Sequence, residues 1–178
     1  MNTLELDERL ILRMAEGDND AFRDLYQQTS GAVYGFALSI VRNCHDAENI
    51  MHDVYIRIHR SAAAYKPKGK PMAWIMTIVR NLCYTKLKSG DICEDLSQYE
   101  NLAQVDENDR TVDRMILQKA LDILEFEDRQ IVVLHALTGM KHREIAELLD
   151  MPLGTVLSKY KRSLEKMRKE LEGEGDAS

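Results

Sequence analysis

The sequence predicts an all-α protein of two small helical domains joined by an acidic linker, the second domain carrying a helix-turn-helix. Three observations predict this. Apolar residues recur at steps of three and four along most of the 178 residues, and no sustained alternating run marks a strand. Charge comes in blocks: residues 53–88 hold eight Lys/Arg and one acid, residues 89–113 hold eight acids and one Arg, and residues 155–171 hold six Lys/Arg and two Glu. The stretch MKHREIAELLDMPLGTVLSKYKRSLEKMRKEL, Met140 to Leu171, divides into two amphipathic helices around a short turn.

Taken in order, Leu4 to Glu16 reads as a short helix stopped by Gly17, and Asp18 suits the N-cap of a helix through Ala21, Phe22, Leu25 and Tyr26. Gly31 to Arg42 continues helically with Val33, Tyr34, Ala37, Leu38 and Val41 inward. Asp46 is expected to cap the next helix, which runs to about Ala63 on Ile50, Met51, Val54 and Ile58. Tyr65 to Pro71 is a Lys-Gly-Pro loop, followed by an amphipathic helix from Ala73 to Lys88. These elements make a first domain, 1–88. Residues 89–111 lack a period and read as the linker. The second domain, 112–172, is expected to hold helices at about Val112–Leu124, Glu127–Leu137, Lys141–Leu149 and Pro152–Leu171, with Gly139 as a stop; 173–178 is a flexible tail.

The last two helices point to DNA. In the second, Val156, Tyr160, Leu164, Met167 and Leu171 step by 4, 4, 3 and 4 and define an apolar face. Ser158, Arg162, Lys166 and Lys169 run opposite, flanked by Lys159 and Lys161. Asp150 tolerates the left-handed backbone that a tight turn needs, and Pro152 suits the first turn of a new helix. A short helix and a basic helix joined so tightly is the geometry that reads base edges in the major groove. The alternative is a helical hairpin with a solvated charged face. The net charge of −6 does not oppose DNA binding, because salt screens charge over about 10 Å and the basic blocks act locally.

Other classes find little support. No segment approaches the roughly 18 apolar residues of a membrane span, and the acidic, amphipathic start is not a signal peptide, so a cytoplasmic protein without membrane insertion is expected. Cys44, Cys83 and Cys93 read as reduced thiols. His45, His52 and His59 recur every seven residues, about 10.5 Å apart along a helix. That is too far for two imidazoles to share a zinc with bonds near 2 Å. His135 and His142 read as surface or boundary residues. Without a Gly-rich phosphate loop or paired acids in a basic setting, neither catalytic residue, cofactor nor metal is expected, and the chain is not read as an enzyme.

Laid out this way, the chain resembles a bacterial RNA polymerase sigma factor of the small extracytoplasmic-function (ECF) group, which keeps two domains, regions 2 and 4. The resemblance covers about Gly17 to Lys88 and Leu121 to Leu171. GDNDAFRDLY, DAENIMHDVYIRIHR, KPMAWIMTIVRNLCYTKLK and the run from LEFEDRQ to the last KEL carry it in order. It implies a protein that docks on core RNA polymerase and directs it to promoter DNA, with region 2 opening the minus-ten element and region 4 reading the minus-thirty-five element. It also implies an anti-sigma factor as partner. Two elements about two helical turns apart are separated by roughly 70 Å. A linker of about 20 to 25 residues reaches roughly 65 to 90 Å when extended. A stand-alone helix-turn-helix repressor or activator is the competing reading.

The resemblance also implies residue roles. Asp46, Glu48, Asn49, Asp53 and Arg57 would face polymerase from the exposed side of their helix. Tyr65, Lys66, Lys68 and Lys70 would receive an unstacked base and single-strand phosphates. Trp74 would line that site or belong to the core, and Arg80, Asn81 and Lys88 would lie on the minus-ten-reading helix. Thr85 stands where relatives often have an acid. In region 4, Ser158, Lys159 and Arg162 would contact bases or the groove edge, and Thr155, Lys161 and Lys166 phosphates. Leu157 replaces a common Lys or Arg; it can pack on a thymine methyl but makes no bidentate bond to guanine. Lys141 replaces a Ser helix cap, which weakens that helix start.

Overall fold

The computed structural model describes residues 6–90 and 121–175. Seven α-helices lie wholly within them: α1 Arg9–Ala15, α2 Asn19–Val41, α3 Cys44–Ser61, α4 Pro71–Ser89, α5 Phe126–Thr138, α6 His142–Leu149 and α7 Leu153–Gly175. A 3₁₀ turn, Ala62–Ala64, follows α3. No strand occurs among the described residues. The expected linker, Cys93 and most of the expected helix before Leu124 lie outside them.

The first domain forms because α1, α3 and α4 bury their apolar stripes against α2. Leu25, Val33, Phe36 and Ala37 of α2 meet Ile50, Val54 and Ile58 of α3 and Ile75, Met76 and Val79 of α4. Each fully buried Val, Leu, Ile, Phe or Met side chain contributes roughly 1.5–3 kcal/mol, and Ala37 less. Asp18 caps α2 as expected, accepting from the Asp20 and Ala21 N–H groups at 2.9 and 3.1 Å. The cap of α3 differs from expectation. Asn43, whose side chain accepts from the Asp46 N–H at 2.9 Å, takes that place. Asp46 lies three residues inside the helix and is buried. The first helix is also shorter than its pattern, with Leu6 buried in the segment leading into it.

In the second domain α5 is the centre. Ile131 and Leu134 are fully buried, with Ile145 of α6 and Val156 of α7 around them. The α6–α7 turn behaves as its sequence requires. Asp150 adopts φ 56 and ψ 49, and Pro152 stands one residue before α7, accepting from the Thr155 and Val156 N–H groups at 3.0 and 3.1 Å. Lys141 cannot cap by side chain, but the Glu144 carboxylate accepts from its N–H at 2.9 Å, giving half of a capping box. The α7 face is corrected: Val156, Tyr160, Ser163 and Met167 turn inward, whereas Leu164 and Leu171 are exposed at 44% and 43%. The helix also continues through Gly173, where a tail was expected.

The domains touch. Gly35 on α2 lies under Leu137 of α5, where a Cβ would collide with the leucine, so glycine permits the close approach. Buried Arg129 donates to the Leu121, Leu124 and Ser39 carbonyls at 3.1, 2.8 and 3.3 Å, stitching α5 to its lead-in and to α2. Arg42 pairs with Asp122 at 3.0 Å, and Lys70 pairs with Glu147 of α6 at 3.0 Å.

Candidate nucleic-acid interface

The first basic surface is the loop between the 3₁₀ turn and α4. Ala62 is buried, and Pro71 fixes the start of α4, so both ends of the loop are anchored. Lys66, Lys68 and Lys70 are exposed, and Tyr65 is half-buried. The Tyr65 and Trp74 rings lie 4.8 Å apart at 59°. Together with the lysines they line a cleft of about 420 Å³, whose far wall is Glu144, Glu147 and Leu148 of α6. Trp74 therefore serves both expectations, since one part packs on the core and another lines the cleft.

One residue that the sequence did not single out organises this loop. Glu8 Oε1 accepts from the Tyr65 hydroxyl at 2.5 Å, the Lys68 N–H at 2.9 Å and the Gly69 N–H at 3.0 Å. The Tyr65 bond leads, with the two N–H bonds behind it, in holding the Glu8 carboxyl below the usual carboxylate range against the opposing effect of desolvation. Burial, and then Glu8, push the Tyr65 phenol up, so it stays a protonated donor. Nothing in the sequence around Glu8 signals this, because its partners lie 57 to 61 residues away.

Along α4, Arg80 is half-buried with its guanidinium carbon 4.6 Å from the Tyr84 ring centre. Asn81 and Lys88 are exposed on the same helix. The exposed Thr85 hydroxyl donates back to the Asn81 carbonyl at 2.9 Å.

On α3, Glu48, Asn49, Asp53 and Arg57 are exposed, as expected. Asp46 does not join them: its carboxylate pairs with Lys86 of α4 at 3.2 Å. The structure adds Ile56, half-exposed on the same face.

The second basic surface is α7. Leu157, Ser158, Lys161, Arg162 and Lys166 are exposed, and Thr155 is half-buried. Lys159 is not free to meet a base. Its ammonium lies 2.9 Å from buried Asp128 and 3.1 Å from Glu127, both on α5. The Asp128 bond is the main cause that raises the Lys159 pKa, desolvation opposing it. The other Asp128 oxygen is 3.8 Å from Arg162, whose side chain remains two-thirds exposed. Lys166 donates to the Ile123 carbonyl at 2.9 Å and is partly engaged as well.

His135, His142 and Tyr160 form an aromatic cluster where α5, α6 and α7 meet, the two imidazoles stacked 4.6 Å apart. His45, His52 and His59 do not converge, and no group of three metal-ligating side chains exists among the described residues. Cys83 is buried, and burial pushes its thiol up to about 12, so it packs as an apolar side chain. No described helix is long and apolar enough to cross a membrane.

One basic surface thus lies beside the tilted Tyr65–Trp74 ring pair and the other on a helix-turn-helix. Residues 25–92 match the family model for Sigma-70 region 2, and residues 114–167 match that for Sigma-70, region 4. The chain is 30% identical over 168 residues to the ECF RNA polymerase sigma factor SigK of Mycobacterium sp. (strain KMS), covering 89% of this chain and 86% of the relative. It is 30% identical over 167 residues to the RNA polymerase sigma factor CarQ of Myxococcus xanthus, covering 91% and 95%. Among solved structures, CnrH in complex with the cytosolic domain of CnrY aligns with a TM-score of 0.69 at 20% identity, covering 94% of this chain and 97% of that one. The sigma factor RpoE in complex with the anti-sigma factor NepR from Bartonella quintana aligns with a TM-score of 0.66 at 19% identity, covering 85% and 96%. At these identities the structural likeness speaks for the fold. The sequence matches go further: the chain belongs to the extracytoplasmic-function group of RNA polymerase sigma factors.

Proposed function

We propose that this sigma factor directs promoter-specific initiation with its two basic surfaces divided between two promoter elements. Residues 1–88 act as region 2, 89–111 as the linker and 112 to the end of α7 as region 4. Glu48, Asn49, Asp53 and Arg57 dock on core polymerase, with Ile56 adding apolar contact; buried Asp46 is left out of that face. The Tyr65–Trp74 cleft receives an unstacked minus-ten base, Lys66, Lys68 and Lys70 meet single-strand phosphates, and Arg80, Asn81 and Lys88 meet the duplex edge. Ser158, Leu157 and Arg162 read the minus-thirty-five element, and Thr155, Lys161 and Lys166 position it. Lys159 holds α7 to α5 instead of reading a base.

The observation that carries this reading is the pairing of the Tyr65 and Trp74 rings beside three exposed lysines, on elements other than the basic helix α7. Of the two solved structures of like fold, one is in complex with the cytosolic domain of CnrY and the other with the anti-sigma factor NepR. We assign an anti-sigma partner to this chain by the same likeness. Pull-down with core polymerase followed by run-off transcription from a randomised promoter library tests the proposal. Enrichment of two separated motifs is expected. Binding of a single palindrome without polymerase overturns it.

A further inference from the structure

The Tyr65–Lys70 loop owes its shape to a residue outside it. Gly69 takes a left-handed turn at φ +69, and the successive N–H groups of Lys68 and Gly69 converge on one Glu8 oxygen, a nest of the kind that binds anions. Tyr65 reaches the same oxygen with its hydroxyl, which sets the ring beside Trp74. Glu8 is itself fixed. It stands between Leu6 and Leu10, both buried in the core, at the start of a helix that packs on the 3₁₀ turn. Its bonds use backbone N–H groups and a phenol, leaving the lysine ammoniums to point elsewhere.

We propose that Glu8 is a positioning residue for single-strand capture: held by α1, it freezes the loop so that Tyr65 is set for a base and Lys66 and Lys68 for phosphates. This rests on the assignment of the loop to the minus-ten strand. The alternative is that Glu8 is simply an acid near DNA, and the two ideas differ in sign. An acid beside a phosphate-binding loop repels the strand, so neutralising it tightens binding. A positioning acid, once lost, loosens the loop and weakens binding despite the gain in positive charge.

The test uses the full chain assembled with core polymerase, comparing the parent with Glu8→Gln and Glu8→Ala. Three readouts are taken: affinity for core, affinity for a duplex carrying the minus-thirty-five element, and affinity for a fork whose minus-ten strand is single. Three hydrogen bonds to a charged acceptor are lost in the alanine variant, and fork affinity is expected to fall about tenfold. Glutamine keeps an acceptor of the same shape, so partial rescue is expected, with a loss of about threefold. Core and duplex affinities stay unchanged. Permanganate reactivity of minus-ten thymines falls in the same order. Fork binding that is unchanged or tighter overturns the inference, as does a parallel loss in all three readouts, which marks a general folding defect. Lys66→Ala with Lys68→Ala separates the two levels. If that pair also leaves fork binding intact, the reading of the loop itself fails. If it weakens fork binding while the Glu8 variants do not, only the role of Glu8 fails.

Discussion

The two basic surfaces treat their neighbouring acids in opposite ways. In the Tyr65–Lys70 loop, Glu8 takes backbone N–H groups and leaves the Lys66 and Lys68 side chains facing solvent. On α7, Asp128 takes the lysine itself, and Lys159 becomes a strut between helices. A carboxylate beside a cation therefore does not by itself lower the charge available to DNA; the donor it selects decides. The loop has no packed core of its own and needs an external anchor for its backbone. The helix satisfies its own backbone and needs fixing only in its angle to α5, which a long side chain provides.

Breaking the strut should have the largest effect. Asp128→Ala leaves Lys159 with Glu127 as its remaining partner, and a loss of about 2 kcal/mol is expected, less than the roughly 3–5 kcal/mol for a fully buried pair. Urea denaturation measures it, and a loss under about 0.5 kcal/mol would make the contact an ordinary solvated pair. The folded fraction should gain non-specific duplex affinity, because one negative charge beside α7 is removed. Next is Arg162→Ala, expected to cost about 1–3 kcal/mol at one minus-thirty-five position if the guanidinium reads a base. Equal weakening on all sequences would move it to the phosphate group, beside Lys161. Removing Lys66 and Lys68 together should flatten the salt dependence of fork binding by roughly 0.7 per lysine in the log–log slope, with little change in stability.

The smallest effect concerns the imidazole stack. Burial, and then His135, hold the His142 pKa below its ordinary 6.5. The unfolded chain thus takes up this proton first, and stability is full above about pH 6.5 and declines as pH falls through the lowered value. Denaturation midpoints of the parent should drop slightly more between pH 8 and about pH 5.5 than those of His142→Gln. Equal drops would show that the stack does not sense the proton.

The sequence made the helices legible and their neighbours much less so. Local signals held where the physics is local: the Asp18 cap, the left-handed Asp150 and the Gly139 stop after α5. On α7, Leu164 and Leu171 stay exposed, and the inward side takes Ser163, a small residue that an apolar pattern passes over. Ser163 is fully buried and lets the helices close in, its hydroxyl donating to the Lys159 carbonyl at 2.8 Å. Asp46 resembled a cap, but Asn43 three residues earlier was the stronger signal. Glu8 and Asp128 were invisible, since each acts through partners 31 or more residues away, which no periodicity encodes.

The Lys70–Glu147 bridge has a further consequence. Both side chains are substantially exposed, so the bridge is weak and salt loosens it. Lys70 cannot hold Glu147 and a phosphate together. Rising ionic strength thus pulls in two directions, freeing this cation from its internal rival while weakening its hold on the nucleic acid. Promoter engagement should respond to salt less steeply than its phosphate contacts alone would dictate, and Glu147→Gln should restore the steeper response.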